Sequence, residues 1–272
     1  MRAEFEIIPS GSDLKKYELI FEVSDSTCSF YLLDRDSAVI DGLVHFRFEN
    51  MGTNISNTNA LSEILKHSLI NEYRAITVCY SFPQSILIPK EQFIEDSECS
   101  LLDLIYGEES GSCIMRDDIL TENLVNIYRI PLSIHELFLT KFPSYKSIHQ
   151  HTVICRLAKD QVNSFEALVY NNKLIISIRK NGQLQFIKSY KYETPEDATF
   201  HLLSTSSYFQ ISDTPLQISG LIESNSGLYR QIHKYFLSLH LSELSNEINM
   251  GEEMKVLPAH YFKTLFLIAL CV

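Results

Sequence analysis

Two histidines of this chain have a spacing that metal sites use. His149 and His151 stand at positions i and i+2, and two such residues share one face of a β-strand. Imidazole nitrogens are common ligands of zinc and other transition metals. A third ligand is missing nearby, because Cys155, on the same face, is two steps further along the strand. We therefore interpret the pair as a polar strand face and expect no metal site.

A two-metal nuclease would need several carboxylates that converge on its metal ions. Glu22 lies in one predicted strand and Glu166 in its counterpart, but the strands that would close each site end at 80–81 and 219–220 without a second carboxylate. The sequence also lacks G-x-S-x-G, HExxH, GxGxxG and Walker A motifs. These absences disfavour the common hydrolase and nucleotide-binding classes.

The charge of the chain limits its partners. Its 272 residues contain 23 Lys and Arg against 34 Asp and Glu, so the net formal charge is −11. Such a surface repels nucleic acid backbones and anionic membranes. We interpret the possible basic patch as solvated strand edges and the pair Asp117-Asp118 as a solvated loop. The patch consists of Arg179, Lys180, Lys188 and Lys191.

The six cysteines have no CxxC spacing, and most lie in apolar runs. We expect reduced, buried thiols in a cytoplasmic protein, with a disulfide or metal pair as the alternative. The N-terminus shows no apolar signal segment. The apolar stretch at 261–272 is too short to span a bilayer, so we expect a core helix and no transmembrane segment.

The same order of elements occurs twice. The first copy reads as strands at 17–24, 28–34 and 42–49, a helix from about Thr58 capped by Asn57 or Thr58, and a strand at 75–80. In its first strand, alternation places Glu18 and Glu22 on one face, as a half-buried strand requires. The other face carries Tyr17, Leu19, Phe21 and Val23.

The second copy has clearer boundaries. Residues 164–172 form one strand and its turn, and residues 173–192 form a hairpin in which Asn181-Gly182 is the signal for a type I′ turn. Thr194 caps the next helix, with Pro195 at its first position and Asp197 completing a capping box. A strand at 215–220 closes the copy.

The remaining segments predict further elements. Between the copies we predict strands at 85–89, 124–130 and 152–157 and helices near 97–106 and 132–141. A helix from about Ser224, a strand at 236–241 and a last helix near Pro258 follow the second copy. We predict an N-terminal lobe at 1–150 and a C-terminal lobe at 151–272.

Three antiparallel strands, a helix and a strand parallel to the first form the ribonuclease H-like layout, and two such lobes make the actin-like ATPase architecture with a cleft between them. The fold class is therefore mixed α/β. KNGQLQFIKSYKYETPED (180–197), PLQISG (215–220) and LPAHYFKTLFLIALC (257–271) resemble a bacterial family of uncharacterised proteins that has this fold. The resemblance covers residues 19–271 and implies the fold without a function.

The resemblance also implies where nucleotide would bind. Actin-like ATPases place a glycine-containing turn between the first two strands of each lobe, where amides hold phosphate and a carboxylate holds Mg²⁺ through water. The turn at 24–27 offers Asp25 as the carboxylate and Thr27 as a hydroxyl ligand, but no glycine. The turn at 170–173 has neither glycine nor carboxylate, and its asparagines suit a hairpin because they tolerate positive φ. Gly220 matches a turn under the base and ribose, or is a tight turn alone.

We therefore expect a non-catalytic, cytoplasmic binding or scaffold protein on a degenerate actin-like ATPase fold. It would have a protein partner and no cofactor. The alternative is a nucleotide-binding protein or weak ATPase in which Asp25, Thr27 and Gly220 surround ATP and Mg²⁺.

Overall fold

The structure, a computed structural model, describes residues 3–9, 14–48, 54–70, 73–157, 161–244 and 249–271, with only the backbone described at 54–56 and 264. The chain forms two compact units. The first comprises Met1–Val153, Asn246–Val256 and Ile268–Val272, and the second comprises Ile154–Ser245 and Leu257–Leu267. The lobe limits at 1–150 and 151–272 stay a prediction, and the units are described separately below.

The elements follow in chain order. The first group is β1 (Phe5–Ile7), β2 (Tyr17–Val23), β3 (Thr27–Asp34), β4 (Val39–Arg47), α1 (Asn54–Ile64), β5 (Ala75–Tyr80), β6 (Ser85–Pro89), α2 (Glu98–Tyr106), β7 (Ser112–Ile119), β8 (Leu124–Pro131), α3 (Leu132–Lys141), β9 (Lys146–His149) and α4 (Gln150–Leu157). The second group is β10 (Ser164–Val169), β11 (Lys173–Lys180), β12 (Gln183–Lys191), α5 (Pro195–Phe209), β13 (Leu216–Gly220), α6 (Gly227–His233), β14 (Leu239–Leu241), β15 (Asn249–Met250) and α7 (Lys263–Cys271).

The predicted duplication is confirmed by the order of strands in the two main sheets. In the first unit the order runs β4-β3-β2-β5-β9, with β1 and β15 beside β4. In the second unit it runs β12-β11-β10-β13-β14. In both, the three strands of the meander pair antiparallel, the next strand pairs parallel with the first strand of the meander, and the last strand pairs parallel with that next strand.

The repeat extends to single hydrogen bonds. Beyond the last pair of the β2–β5 ladder, the Ser81 N–H donates to the Val23 carbonyl at 2.8 Å. Beyond the last pair of the β10–β13 ladder, the Leu221 N–H donates to the Val169 carbonyl, also at 2.8 Å. The residue that follows β5 and the residue that follows β13 therefore make equivalent backbone hydrogen bonds.

The first unit carries an inserted sheet between β5 and β9. Its order is β6-β8-β7, all antiparallel. Leu102 of α2 is fully buried and packs with Val125 and Ile127 of β8. The insertion therefore has a small core of its own.

The main core of each unit lies on one face of its sheet. In the first, Phe21 packs edge-on to Phe138 of α3, at 5.2 Å between ring centroids. In the second, Leu202 of α5 is fully buried against the sheet. The opposite face of β2 is covered too, since Glu22 is only 5% exposed. The prediction of a half-buried strand was therefore wrong, because other parts of the fold cover this sheet on both sides.

Local sequence signals in the second unit are confirmed. Asn181 and Gly182 have φ of 54° and 77°, as a type I′ turn requires. The Thr194 hydroxyl accepts from the Asp197 N–H at 3.2 Å, and the Asp197 carboxylate accepts from the Thr194 N–H at 2.9 Å. This capping box fixes the start of α5.

Several predicted boundaries were wrong. Residues 152–157 belong to helix α4, not to a strand. Helix α1 already includes Asn54, so Asn57 and Thr58 lie inside it and do not cap it. The last helix begins at Lys263, five residues after Pro258. Within the described residues, every helix is too short or too polar to cross a bilayer.

One charged side chain and one thiol clearly differ from the expectation. Arg179, taken for a solvated edge, is 1% exposed and donates to the carbonyls of Gly182 and Cys155 at 2.9 and 3.3 Å. The other three residues of that patch are exposed. All six cysteines are free thiols, three of them buried, whereas Cys99 is exposed.

His45 is a buried titratable group in β4. It is 3% exposed, and its Nδ1 lies 2.7 Å from the Ser29 hydroxyl. Burial, with a smaller contribution from Arg47, lowers its pKa to about 4. The Glu4 carboxylate lies 3.7 Å from Nε2, but Glu4 is 38% exposed, so water screens its opposing effect.

We expect His45 to make stability depend on pH between about 4 and 6.5. In this window the unfolded chain, whose histidines titrate near 6.5, binds more protons than the folded chain, so stability falls as the pH is lowered. His45→Gln should flatten the curve of unfolding free energy against pH by up to about 3 kcal/mol. Urea denaturation across this range measures the effect, and parallel curves for the two proteins would contradict it.

Candidate functional site

The first candidate turn, residues 24–27, joins β2 to β3. The Ser24 N–H donates to the Thr27 carbonyl at 2.9 Å and closes the turn. The Ser24 hydroxyl accepts from the N–H groups of Ser26 and Thr27 at 3.1 and 2.9 Å. Two amides that a phosphate-binding loop would point at its ligand therefore donate to a side chain of the same turn.

The conformation of this turn also differs from a phosphate nest. None of residues 24–27 has a positive φ, whereas a nest alternates right- and left-handed residues. Asp25 is half-buried, and its carbonyl accepts from the Asn57 side chain at 2.8 Å. Thr27 is 2% exposed, with its hydroxyl 2.9 Å from that of Ser24. The structure thus brings Asp25 and Thr27 together in a turn that Ser24 closes.

The second candidate turn occupies the equivalent place between β10 and β11. The Tyr170 N–H donates to the Lys173 carbonyl at 2.8 Å, which matches the closing bond of the first turn. The Tyr192 hydroxyl donates to the Tyr170 carbonyl, and the Tyr192 N–H donates to the Asn172 carbonyl at 3.1 Å. Neither asparagine has a positive φ, so this turn does not use the freedom that the sequence analysis assigned to them.

Lys173 adds a buried cation to the second turn. It is 2% exposed, and its Nζ lies 4.3 Å from the centroid of the Tyr170 ring. A desolvated cation–π contact of this kind contributes about 2 kcal/mol. The ammonium group is therefore held against an aromatic face within the turn.

Gly220 ends strand β13, and its backbone conformation explains why this position needs a glycine. Its φ is 93°, and a Cβ at this position would lie 2.1 Å from the Val169 carbonyl oxygen. The Gly220 N–H donates to the His260 carbonyl at 2.7 Å. A side chain is therefore excluded by the close approach of two strands, whether or not a nucleotide binds.

The two histidines do not share a strand face. His149 ends β9 and His151 lies in the first turn of α4, which corrects the sequence interpretation. The His149 Nδ1 accepts from the His151 N–H at 3.1 Å, so the ring proton is on Nε2, which donates to the Phe82 carbonyl at 3.0 Å. Across the described residues, no group of three or more His, Cys, Asp or Glu could hold a metal.

Asp117 lies in strand β7 and is 8% exposed, so its interpretation as part of a solvated loop was wrong. Its Oδ2 accepts from the His149 N–H at 2.7 Å and from the Thr152 hydroxyl at 2.8 Å. The Tyr128 hydroxyl donates to Oδ1 at 3.2 Å. The carboxyl group thus joins the inserted sheet to the start of α4, where a negative charge also suits the helix dipole.

The comparisons with known proteins agree with this fold. A family model described as "Protein of unknown function (DUF3822)" matches residues 10–239. The chain belongs to this family. This confirms the resemblance to a family without an assigned function. A comparison with curated protein sequences found no match.

Two solved structures are similar to nearly the whole chain. One, from Bacteroides thetaiotaomicron VPI-5482, is described as a protein with an actin-like ATPase fold and unknown function. It is 18% identical, with a TM-score of 0.74, over 93% of this chain and 96% of that chain. The other is the PilM-PilN type IV pilus biogenesis complex, at 9% identity and a TM-score of 0.61 over 95% and 99%. Such low identities show the fold alone, and the predicted mixed α/β, actin-like ATPase fold is confirmed.

Sequence reasoning missed the roles of Ser24, Lys173 and Asp117. The Ser24 contact had a local signal, because a serine hydroxyl often accepts from amides two or three residues later. The burial of Lys173 and Asp117 had no such signal, since both are charged residues that are rarely buried. Their surroundings come from segments distant in sequence.

Gly220 and Gly182 form a matched pair for testing the steric role. Gly220→Ala should destabilise the protein by about 3 kcal/mol or more, because it adds a backbone clash to the strain of a positive φ. Gly182→Ala has the strain but no atom within 4 Å of the new Cβ, so about 1–2 kcal/mol is expected. Urea denaturation followed by circular dichroism, without nucleotide, compares them. Equal losses would contradict the proposed clash.

Asp117 and its exposed neighbour Asp118 form a second matched pair. Asp117→Ala removes the acceptor of three buried donors and should cost about 3 kcal/mol of unfolding free energy. Asp118→Ala breaks a surface contact with Lys90 at 3.8 Å and should change stability by less than about 0.5 kcal/mol. Thermal and urea denaturation report the difference. A small effect of Asp117→Ala would show that the network does not stabilise the unit.

Proposed function

We propose that this protein is a non-catalytic binding or scaffold protein built on a degenerate actin-like ATPase fold. The observation that carries the proposal is the contact of the Ser24 hydroxyl with the amides of Ser26 and Thr27. Phosphoryl transfer needs donors and cations positioned at the phosphate oxygens. A turn that uses its own amides internally lacks donors for that purpose.

The second turn supports the same proposal. Residues 170–173 contain no glycine and no carboxylate, and their positive charge, Lys173, is held over the Tyr170 ring. A triphosphate with Mg²⁺ would need the opposite arrangement, with free amides and a water-binding carboxylate.

The nature of the proposed partner follows from charge and analogy. A net charge of −11 disfavours nucleic acid, so we propose a protein partner in the cytoplasm. PilM, whose fold is similar, is named as a member of a complex with PilN. A comparable assembly role for this chain is an analogy at the level of fold.

The alternative is a nucleotide-binding protein or weak ATPase that uses Asp25, Thr27 and Gly220. Asp25 and Thr27 share one turn of the first unit, and Gly220 ends a strand of the second. Binding would require the Ser24 contacts to open first. Any ATP affinity would then include the cost of breaking those hydrogen bonds.

A thermal-shift titration with ATP and MgCl₂ separates the two functions. We expect no change of melting temperature at millimolar nucleotide. A ligand present at 100 times its Kd would stabilise the folded chain by about 2.7 kcal/mol, which is a shift of several degrees. A shift of that size in the wild type that disappears in Asp25→Ala would overturn the non-catalytic proposal.

The scaffold role has its own test. Gel filtration of a native lysate at the natural expression level should elute the protein in a complex larger than the isolated chain, and cross-linking with mass spectrometry identifies the partner. Elution at the position of the purified protein, without cross-linked partners, would count against a scaffold role.

A further inference from the structure

We infer that the outer edge of strand β12 is a docking site for an extended, acidic segment of a partner protein, which adds a strand to the sheet of the second unit. Sheet edges bind extended peptides in this way through hydrogen bonds between the two backbones. The inference rests on the proposed scaffold function, for which it names the chemistry of the partner. It is tested on the purified chain with synthetic peptides, so its failure leaves the ATP and lysate experiments unaffected.

Strand β12 ends the sheet of the second unit. Within the described residues, its strand neighbour is β11 on one side, and its other side has no strand. None of the nine residues of β12 is buried, whereas seven of the eight residues of β11 are. A long, accessible edge strand presents a row of backbone groups on which another strand can form.

The direction of the backbone groups follows from one hydrogen bond. The Tyr192 N–H donates to the Asn172 carbonyl at 3.1 Å, so Tyr192 directs its backbone groups towards β11. Successive residues of an antiparallel strand direct their N–H and C=O groups to opposite sides. The pairing of β12 with β11 is regular from Phe186 onwards, so Ile187 directs its N–H and C=O groups outward. An added strand would pair with them.

The charges along this edge select an acidic partner. In a chain of net charge −11, residues 167–192 contain five cations and no Asp or Glu. Three of these cations, Lys180, Lys188 and Lys191, are exposed, and acidic side chains begin again at Glu193, beyond the end of the strand. Opposite charges on neighbouring strands stabilise their pairing and steer the partner. A segment with carboxylates near Lys180 and Lys188 therefore complements the edge.

The same lysines disfavour a second copy of this chain as the occupant. If β12 paired antiparallel with β12 of another molecule, the lysines of both strands would lie along one short ladder. Like charges on neighbouring strands destabilise their pairing, and lysines on an edge strand are one means by which proteins prevent edge-to-edge association.

Apolar side chains of the partner have a surface to contact beside this edge. Six rings of β12 and α5 form a continuous series in which successive ring centroids lie between 4.3 and 6.4 Å apart. The rings at its two ends, Phe200 and Tyr208, are 65% and 81% exposed. In order, the series consists of Phe200, His201, Tyr190, Phe186, Phe209 and Tyr208.

Lys188 lies within this aromatic surface. Phe186, Lys188 and Tyr190 alternate along β12 and therefore share one face of the strand. The Lys188 Nζ lies 5.5 Å from the centroid of the Tyr190 ring. A partner strand that carries both acidic and apolar side chains on this face would contact the ammonium group and the rings together.

Titration calorimetry on the full chain with three peptides tests the inference. The peptides are acetyl-EEFFEE-amide, acetyl-QQFFQQ-amide and acetyl-KKFFKK-amide, and in each of them both faces of the extended strand carry a phenylalanine between two polar residues. The Glu peptide should bind at least about tenfold more tightly than the Lys peptide, with the Gln peptide between them. High salt should weaken the Glu peptide most.

Three results of this titration would overturn the inference. They are equal affinities of the three peptides, a preference for the Lys peptide, and no binding of the Glu peptide at millimolar concentration. An oligothymidylate that binds more tightly than the Glu peptide would show a surface for single-stranded nucleic acid and would overturn it too.

Charge reversal tests the two lysines. Lys180→Glu combined with Lys188→Glu should weaken binding of the Glu peptide by about tenfold, because two attractions become repulsions. The matched control combines Lys234→Glu with Lys255→Glu, which gives the same net charge at exposed positions outside β12 and α5, and its affinity should equal that of the wild type. Equal weakening by both proteins would show a non-specific charge effect and would overturn the site.

Two substitutions of Ile187 test the addition of a strand. Ile187→Pro and Ile187→Ala both shorten the apolar side chain, but only proline removes the outward N–H. The Glu peptide should bind about tenfold more weakly to Ile187→Pro than to Ile187→Ala, with circular dichroism to show that both proteins are folded. Equal affinities of the two folded variants would contradict strand addition.

A measurement on the wild-type chain covers the case that Ile187→Pro does not fold. The Glu peptide methylated at all its backbone nitrogens has the same side chains but no amide donor for a ladder, so its binding should be lost. Unchanged binding of the methylated peptide would contradict strand addition. Sedimentation of the purified wild-type chain as a dimer that the Glu peptide does not dissociate would assign the edge to a second copy and would also overturn the inference.

Discussion

Each half of the protein depends on one pairing, the parallel ladder between the first strand of its meander and the strand that follows its helix. β2 pairs with β5, and β10 pairs with β13. A parallel neighbour cannot be reached by a tight turn, so a crossover helix must lie on one face of the sheet. The helix and the meander then bury a common apolar face, and both halves repeat this solution in the same strand order.

The ends of these ladders hold the turns that the fold family associates with nucleotide. In the first unit, Ser24 closes the turn with its own hydroxyl. In the second, Gly220 comes so close to the Val169 carbonyl that no side chain fits. Contacts within the protein explain both features without a bound nucleotide. They support a protein that kept the ladder geometry and uses it for binding, as we propose, and not for phosphoryl transfer.

Buried polar groups separate structural from functional candidates. The Asp117 carboxyl group is buried among three donors, which is the mark of a network that stabilises its surroundings. Asp117 is therefore explained by its structural contacts.

The sequence by itself determined the duplicated strand–helix layout, the Asn181-Gly182 turn and the Thr194 capping box, because these depend on side-chain alternation and on hydrogen bonds within a few residues. Only the tertiary structure decided that residues 152–157 form a helix, because a short apolar run suits either element. It also decided the burial of Arg179 and Asp117. The Asp117 partner Thr152 lies 35 residues away, and burial depends on such distant contacts, which local patterns do not encode.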